Sequence, residues 1–195
     1  MDKADLISIS TALDNSALTF LVGTGLSRYL TDDKIPNWQE LLELCGLNKD
    51  KQKFAWPKCY DTLFMRNEDN DQVKLKDPTI TCAQILQNIY KKNDMDIKKF
   101  ICETIKKRSD DNVNLNRVSS IKDFFDTLSN DEKSINVITA NYDCLIQNNI
   151  FNSDAKVVYP NTKMIKKNCK QNLYHIHGCI DDSESLVFGV EDYFE

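Results

Sequence analysis

The sequence predicts an α/β fold, a Rossmann-like parallel sheet with helices on both faces and a helical insertion. Three observations lead there. Short apolar runs rich in β-branched and aromatic residues recur along the chain, at the spacing and length of buried strands. Between them lie stretches whose apolar residues repeat at helical intervals. Strands that alternate with helices pair in parallel, because a parallel connection needs a helix-length crossover.

Each element has its own justification. "ALTFLVGTGLS" (17–27) is an apolar run that breaks into glycines, as a buried strand followed by a tight turn does. Beyond Pro36, Asn37 and Glu40 have capping-box spacing; Trp38, Leu41, Leu42 and Cys45 then line one helix face, which Gly46 ends. From about 50 to 115 the chain reads as helical. Cys82, Ile85, Leu86 and Ile89 make one stripe, and Ile97, Ile101 and Ile105 make another. A helix over 119–128 turns Ile121, Phe124, Phe125 and Leu128 inward and leads to a strand at 135–139. "AKVVYP" (155–160), "NLYHIHG" (172–178) and "ESLVFGV" (184–190) read as three more strands. The stretch 50–115 is then an insertion between the first two strands of a single domain spanning 1–195.

Composition narrows the function. A chain of 195 residues, 41% apolar and 28% charged, has the balance of a globular domain with a real core. The formal net charge of −5 argues against a general nucleic-acid binder. Lysines 91, 92, 98, 99, 106 and 107 with Arg108 read as a solvated helix face, because acidic residues are mixed among them. No apolar run approaches the roughly 18 residues that span a bilayer. "MDKADLISIS" lacks the basic region and apolar core of a secretory signal, so the expected location is cytoplasmic. Seven cysteines, at 45, 59, 82, 102, 144, 169 and 179, include no CxxC pair. Such pairs pre-form half of a zinc tetrahedron, and without them reduced, mostly buried thiols and no zinc are expected.

Three polar clusters follow apolar strands, where ligands bind in open α/β sheets. In "GTGLSR" (23–28), Gly23 and Gly25 let backbone amides approach a phosphate, with Thr24 between them and Ser27 offering a hydroxyl. A tight turn explains the same residues equally well, and the third glycine of the dinucleotide fingerprint is missing. In "INVITANYDCLIQ" (135–147), Asn141 offers a donor and an acceptor and Asp143 an acceptor for a sugar hydroxyl; an Asx turn or helix cap explains both as well. In "HIHG" (175–178), alternation along a strand points His175 and His177 the same way, with Ile176 opposite. His177 is the candidate base at the strand mouth, and His175 a packed or hydrogen-bonded core histidine.

With these clusters in this order, the chain resembles the sirtuin-like family, particularly the NAD-hydrolase branch found in bacterial antiphage defence proteins. The resemblance rests on "FLVGTGLSRYLTDDKIPNWQELL", "INVITANYDCLIQ" and "LYHIHGCIDDSESLVFGVEDYFE". The family pattern is a strand with GAGxS, a Pro and Trp opening a helix, TxNYD, and a strand ending in HG. The resemblance implies that Gly23, Thr24, Gly25 and Ser27 surround the NAD phosphates and ribose. Asn141 then positions the nicotinamide ribose or the attacking water, Asp143 supports the site, and His177 acts as general base. The implied substrate is NAD, cleaved to nicotinamide and ADP-ribose through an oxocarbenium-like state. A homo-oligomer, or a C-terminal or partner sensor protein, is the implied assembly, with neither membrane nor nucleic acid as partner.

Thr24 departs from the family's GAG. The two CxxC pairs of the deacylating sirtuins are absent, which favours hydrolysis over protein deacylation. Family domains also continue beyond the HG strand, so a domain incomplete at its C-terminus is expected. Two functions of different class stay in view: an NAD glycohydrolase, and a catalytically inactive NAD-binding or interaction module.

Overall fold

The computed structural model describes residues 3–15, 18–46, 63–66, 73–75, 79–129, 134–160 and 169–194. Strand β1 (Thr19–Val22) follows helix α1 (Lys3–Asp14), and α2 (Thr24–Leu30) and α3 (Trp38–Gly46) come next. A short antiparallel pair, β2 (Phe64–Arg66) and β3 (Val73–Leu75), precedes α4 (Thr79–Lys92), α5 (Ile97–Asp110) and α6 (Leu115–Leu128). Then come β4 (Ile135–Thr139), a π-helical turn (Ile146–Ile150), β5 (Lys156–Val158) and β6 (Gln171–His175). The main sheet has four strands, all parallel, in the order β1-β4-β6-β5. This is an α/β architecture consistent with a Rossmann-like fold.

The sheet places the three polar clusters side by side. β1, β4 and β6 are consecutive in the sheet. Val22 pairs with Thr139, and Thr139 with His175, so the last residues of all three strands stand in one row. Whatever follows each strand therefore emerges at one end of the sheet. Along β4, Ile135, Val137 and Thr139 are buried, and the intervening residues are half-buried. Ile135 and Val137 join one core with Leu30, Leu42, Leu86, Ile101, Leu173 and Phe188.

Local signals account for the helix starts. The Asn37 amide donates to Glu40 Oε2 at 2.8 Å, and the Glu40 amide to Asn37 Oδ1 at 2.9 Å, so the capping box at α3 is formed reciprocally. Asp96 caps α5 through the Lys99 amide, and Asn114 caps α6 through the Arg117 amide. Cys82 and Leu86 of α4, and Ile97, Ile101 and Ile105 of α5, are buried as their spacing predicts.

Four expectations need correction. β6 ends at His175, and His177 lies in the turn beyond it, so strand alternation does not orient both histidines. The run 184–190 is no strand. It contains a 3₁₀ turn (Ser183–Ser185) capped by Asp182, followed by an irregular segment that buries Leu186 and Phe188. Its backbone bonds go elsewhere: the Val187 amide donates to the His177 carbonyl, and the Val187 carbonyl accepts from the Tyr142 hydroxyl. Within the insertion, β2 and β3 interrupt the helical expectation; positions 47–62, 67–72 and 76–78 lie outside the described residues. Finally, Phe124 is 48% exposed and packs edge-on against Phe20 and Phe125 at the sheet's β1 side.

A carboxylate holds the last turn (Glu191–Tyr193) in place. Asp192 accepts from the Phe188 and Gly189 amides at 2.8 and 3.0 Å and pairs with Lys98 Nζ at 2.8 Å. Its side chain is only 7% exposed. Burial alone would raise its pKa, but the Lys98 and backbone hydrogen bonds overcome this and hold it below the ordinary carboxylate value. A lowered folded pKa gives stability that is present above the unfolded value and lost as pH falls through the folded one. Urea unfolding between about pH 5 and about pH 2 is expected to show this loss, and Asp192→Asn to flatten that part of the profile.

Candidate functional site

A cavity of about 530 Å³ opens at the carboxyl ends of β1 and β4, within the roughly 300–1,000 Å³ of small-molecule sites. Gly23 and Thr24 border it from the β1 side, and Asn141 and Asp143 from the β4 side. His177 borders it from beyond β6, and Trp38 from the start of α3.

The loop after β4 is built around one hydroxyl. Ser27 Oγ donates to Asp143 Oδ2 at 2.7 Å and accepts from Asn141 Nδ2 at 2.8 Å. The three side chains are 2%, 4% and 5% exposed for Ser27, Asp143 and Asn141 respectively. Burial pushes the Asp143 carboxyl up from its ordinary pKa, while the Ser27 hydroxyl and the Leu145 amide pull it down. Leu145 N donates to Asp143 Oδ1, an Asx turn, so the turn explanation of Asp143 holds alongside its place on the cavity wall. The Asn141 amide donates to Thr139 Oγ1, and the Asn141 carbonyl lies 3.2 Å from His175 Nδ1. Among the described residues, nothing engages Asn141 Oδ1.

The histidines have separate environments. His175 is 2% exposed, burial lowers its pKa, and its Nδ1 lies against the Asn141 carbonyl, so it stands as a core histidine bracing that loop. Its Nε2 lies 3.1 Å from Gln147 Oε1. His177 is half-buried on the cavity wall, with its pKa also lowered by burial. Its Nε2 lies 3.2 Å from the Tyr193 hydroxyl, and the two rings meet edge-on. Gly178 makes this placement possible. It has φ +79°, and a Cβ there would run into the Ser185 carbonyl.

Of the seven residues singled out in the sequence, five border the cavity: Gly23, Thr24, Asn141, Asp143 and His177. Ser27 stands behind the wall, its one O–H spent on Asp143, so it supports the loop where a hydroxyl free to meet a phosphate was expected. Gly25 faces a separate shallow groove with Leu21, Ile121 and Phe124. Sequence reasoning missed Tyr193 and the wall formed by Trp38, which packs on Tyr142 and Phe188 at ring distances of 5.8 and 5.3 Å. The signal for Tyr193 was its place in the apolar–acidic "VEDYF" ending, which carries no periodicity.

The chain has an α/β architecture with a cavity of small-molecule size at the ends of its parallel strands. Residues 135–195 match the family model of the SIR2-like domain, a stretch that takes in Asn141, Asp143, His177 and Tyr193, and this is consistent with a sirtuin-like family. No curated protein matches the chain.

Ser27→Ala tests the shared hydroxyl. It removes the partner of the buried Asn141 Nδ2 and of Asp143 Oδ2, and the urea midpoint is expected to fall by the equivalent of about 1–3 kcal/mol.

Proposed function

We propose that the chain cleaves NAD, releasing nicotinamide and ADP-ribose. One observation carries this reading: Asn141 and His177 border one cavity, opposite a glycine turn, within a stretch that matches the SIR2-like domain. The residues fit the dinucleotide. An ideal Cβ built on Gly23 meets nothing within 4 Å, so the backbone there borders open space. Gly23 and Thr24 would run beside the phosphates. Asn141 Oδ1 would accept from a ribose hydroxyl, held in place by the Ser27 and Thr139 bonds to the same residue. A dinucleotide held in a fixed pose leaves little for the protein to do beyond orientation and proton transfer.

His177 would take that proton, from water or from a ribose hydroxyl. Burial lowers its pKa, so the ring is in the unprotonated form a base requires at neutral pH. Hydrolysis fits better than deacylation because the chain has no CxxC pair for the deacylases' zinc ribbon. As in the antiphage proteins that the sequence resembles, the consequence in a cell would be NAD depletion, with a homo-oligomer or a partner sensor controlling it.

A second reading has an observation of its own. The Tyr193 hydroxyl sits against His177 Nε2, which would suit a domain that binds NAD without turning it over.

Incubation with NAD is expected to release nicotinamide, followed by chromatography. His177→Ala should cut the rate on the order of 100- to 10,000-fold, and Asn141→Ala should remove turnover as well. Cleavage that survives both substitutions would falsify the site assignment. NAD binding by calorimetry without any nicotinamide release would select the second reading.

A further inference from the structure

Outside the cavity, three metal-ligating side chains converge. The Sγ atoms of Cys144 and Cys179 and a carboxylate oxygen of Asp181 all lie within 4.8 Å of one another. Cys144 follows the Asn141–Asp143 loop; Cys179 and Asp181 follow Gly178 in the turn beyond β6. Both cysteines are buried, at 4% and 0% exposure, and Asp181 is exposed.

The spacing suits a single ion. Metal–sulfur bonds of about 2.3 Å and metal–oxygen bonds of about 2.0–2.2 Å put the ligands of one tetrahedral zinc-like ion about 3.6–3.8 Å apart. The three donors already lie within 4.8 Å of one another. A second cavity, of about 380 Å³, borders Cys144 and Asp181 and leaves room for a fourth ligand. The carboxylate is also oriented from behind. Gln147 Nε2 donates to Asp181 Oδ2 at 3.0 Å, the kind of outer contact that fixes a ligating oxygen.

Charge gives the same answer. Two thiolates and a carboxylate this close would concentrate three negative charges in a partly buried space. The neighbouring Cys179 and Asp181, together with burial, push the Cys144 thiol far above its ordinary pKa. Thiolate ligands favour soft divalent ions over magnesium or calcium.

We propose that Cys144, Cys179 and Asp181 form a three-ligand site for a soft divalent cation of the zinc class, its fourth position open to the adjoining cavity. Binding forms two metal–sulfur bonds and one metal–oxygen bond and releases the two thiol protons to solvent. The site differs from a CxxC ribbon in that its ligands come from two distant parts of the chain. It does not depend on the NAD reading. It does, however, share Gln147 with His175, and so with the carbonyl of Asn141.

The test uses the full chain, purified under reducing conditions, stripped with a chelator and titrated with Co²⁺. Thiolate-to-cobalt absorption saturating at one equivalent, and displaced by Zn²⁺, is the expected result. Cys144→Ser and Cys179→Ser should each remove that absorption, and Cys169→Ser should leave it unchanged. Asp181→Asn, a surface substitution that spares the fold if the cysteine variants do not, should weaken Zn²⁺ binding by at least about tenfold. Absence of stoichiometric absorption overturns the proposal. So does binding that is indifferent to Cys144, Cys179 and Asp181, or a Cys144–Cys179 disulfide in the reduced preparation.

Discussion

One buried hydroxyl connects the two halves of the site. Ser27 on α2 donates to Asp143 and accepts from Asn141, and no other residue type of that size could do both in so little space. The cost of leaving either partner unpaired in a site this dry is what fixes the loop after β4. The rest follows from that constraint. With the loop fixed, the Asn141 carbonyl meets His175 Nδ1, the Ile180 amide reaches the Tyr142 carbonyl, and Tyr142 ties down the segment at Val187. The turn beyond β6 is thus positioned by β4 rather than by its own strand.

Much of this frame was legible in the sequence, for a definite reason. β4 and the stripes of α4 and α5 are regular, and regular elements advertise themselves through periodicity. The Asn37–Glu40 capping box was legible because its partners are three residues apart. The failures occur where apolar residues bury themselves without a ladder. Leu186 and Phe188 look like strand residues and are as buried as strand residues, yet their neighbours bond to His177 and Tyr142. Composition alone cannot distinguish the two cases.

The candidate site divides in the same way. Glycines, Asn141 and His177 drew attention because of their type and their place after a strand. Tyr193 reaches His177 only because Asp192, one residue away, is clamped by Lys98 and two backbone amides. The cysteines show the converse limit. Their spacing along the chain argued against a zinc ribbon and says nothing of which thiols meet in space; Cys144 and Cys179 come together because β4 and β6 are neighbours in the sheet. Sequence spacing reports ligands supplied by one turn and is blind to ligands supplied by two strand ends.

The Ser27 bridge also bears on how the protein folds. Its two bonds join residues 116 and 114 positions apart, so neither can form until most of the chain has closed on itself. The stretch 135–195, which carries the family match, therefore holds Asn141, Asp143 and His177 but not Ser27, whose hydroxyl aims the first two. Without that closure, nothing fixes the cavity wall around Asn141 and Asp143.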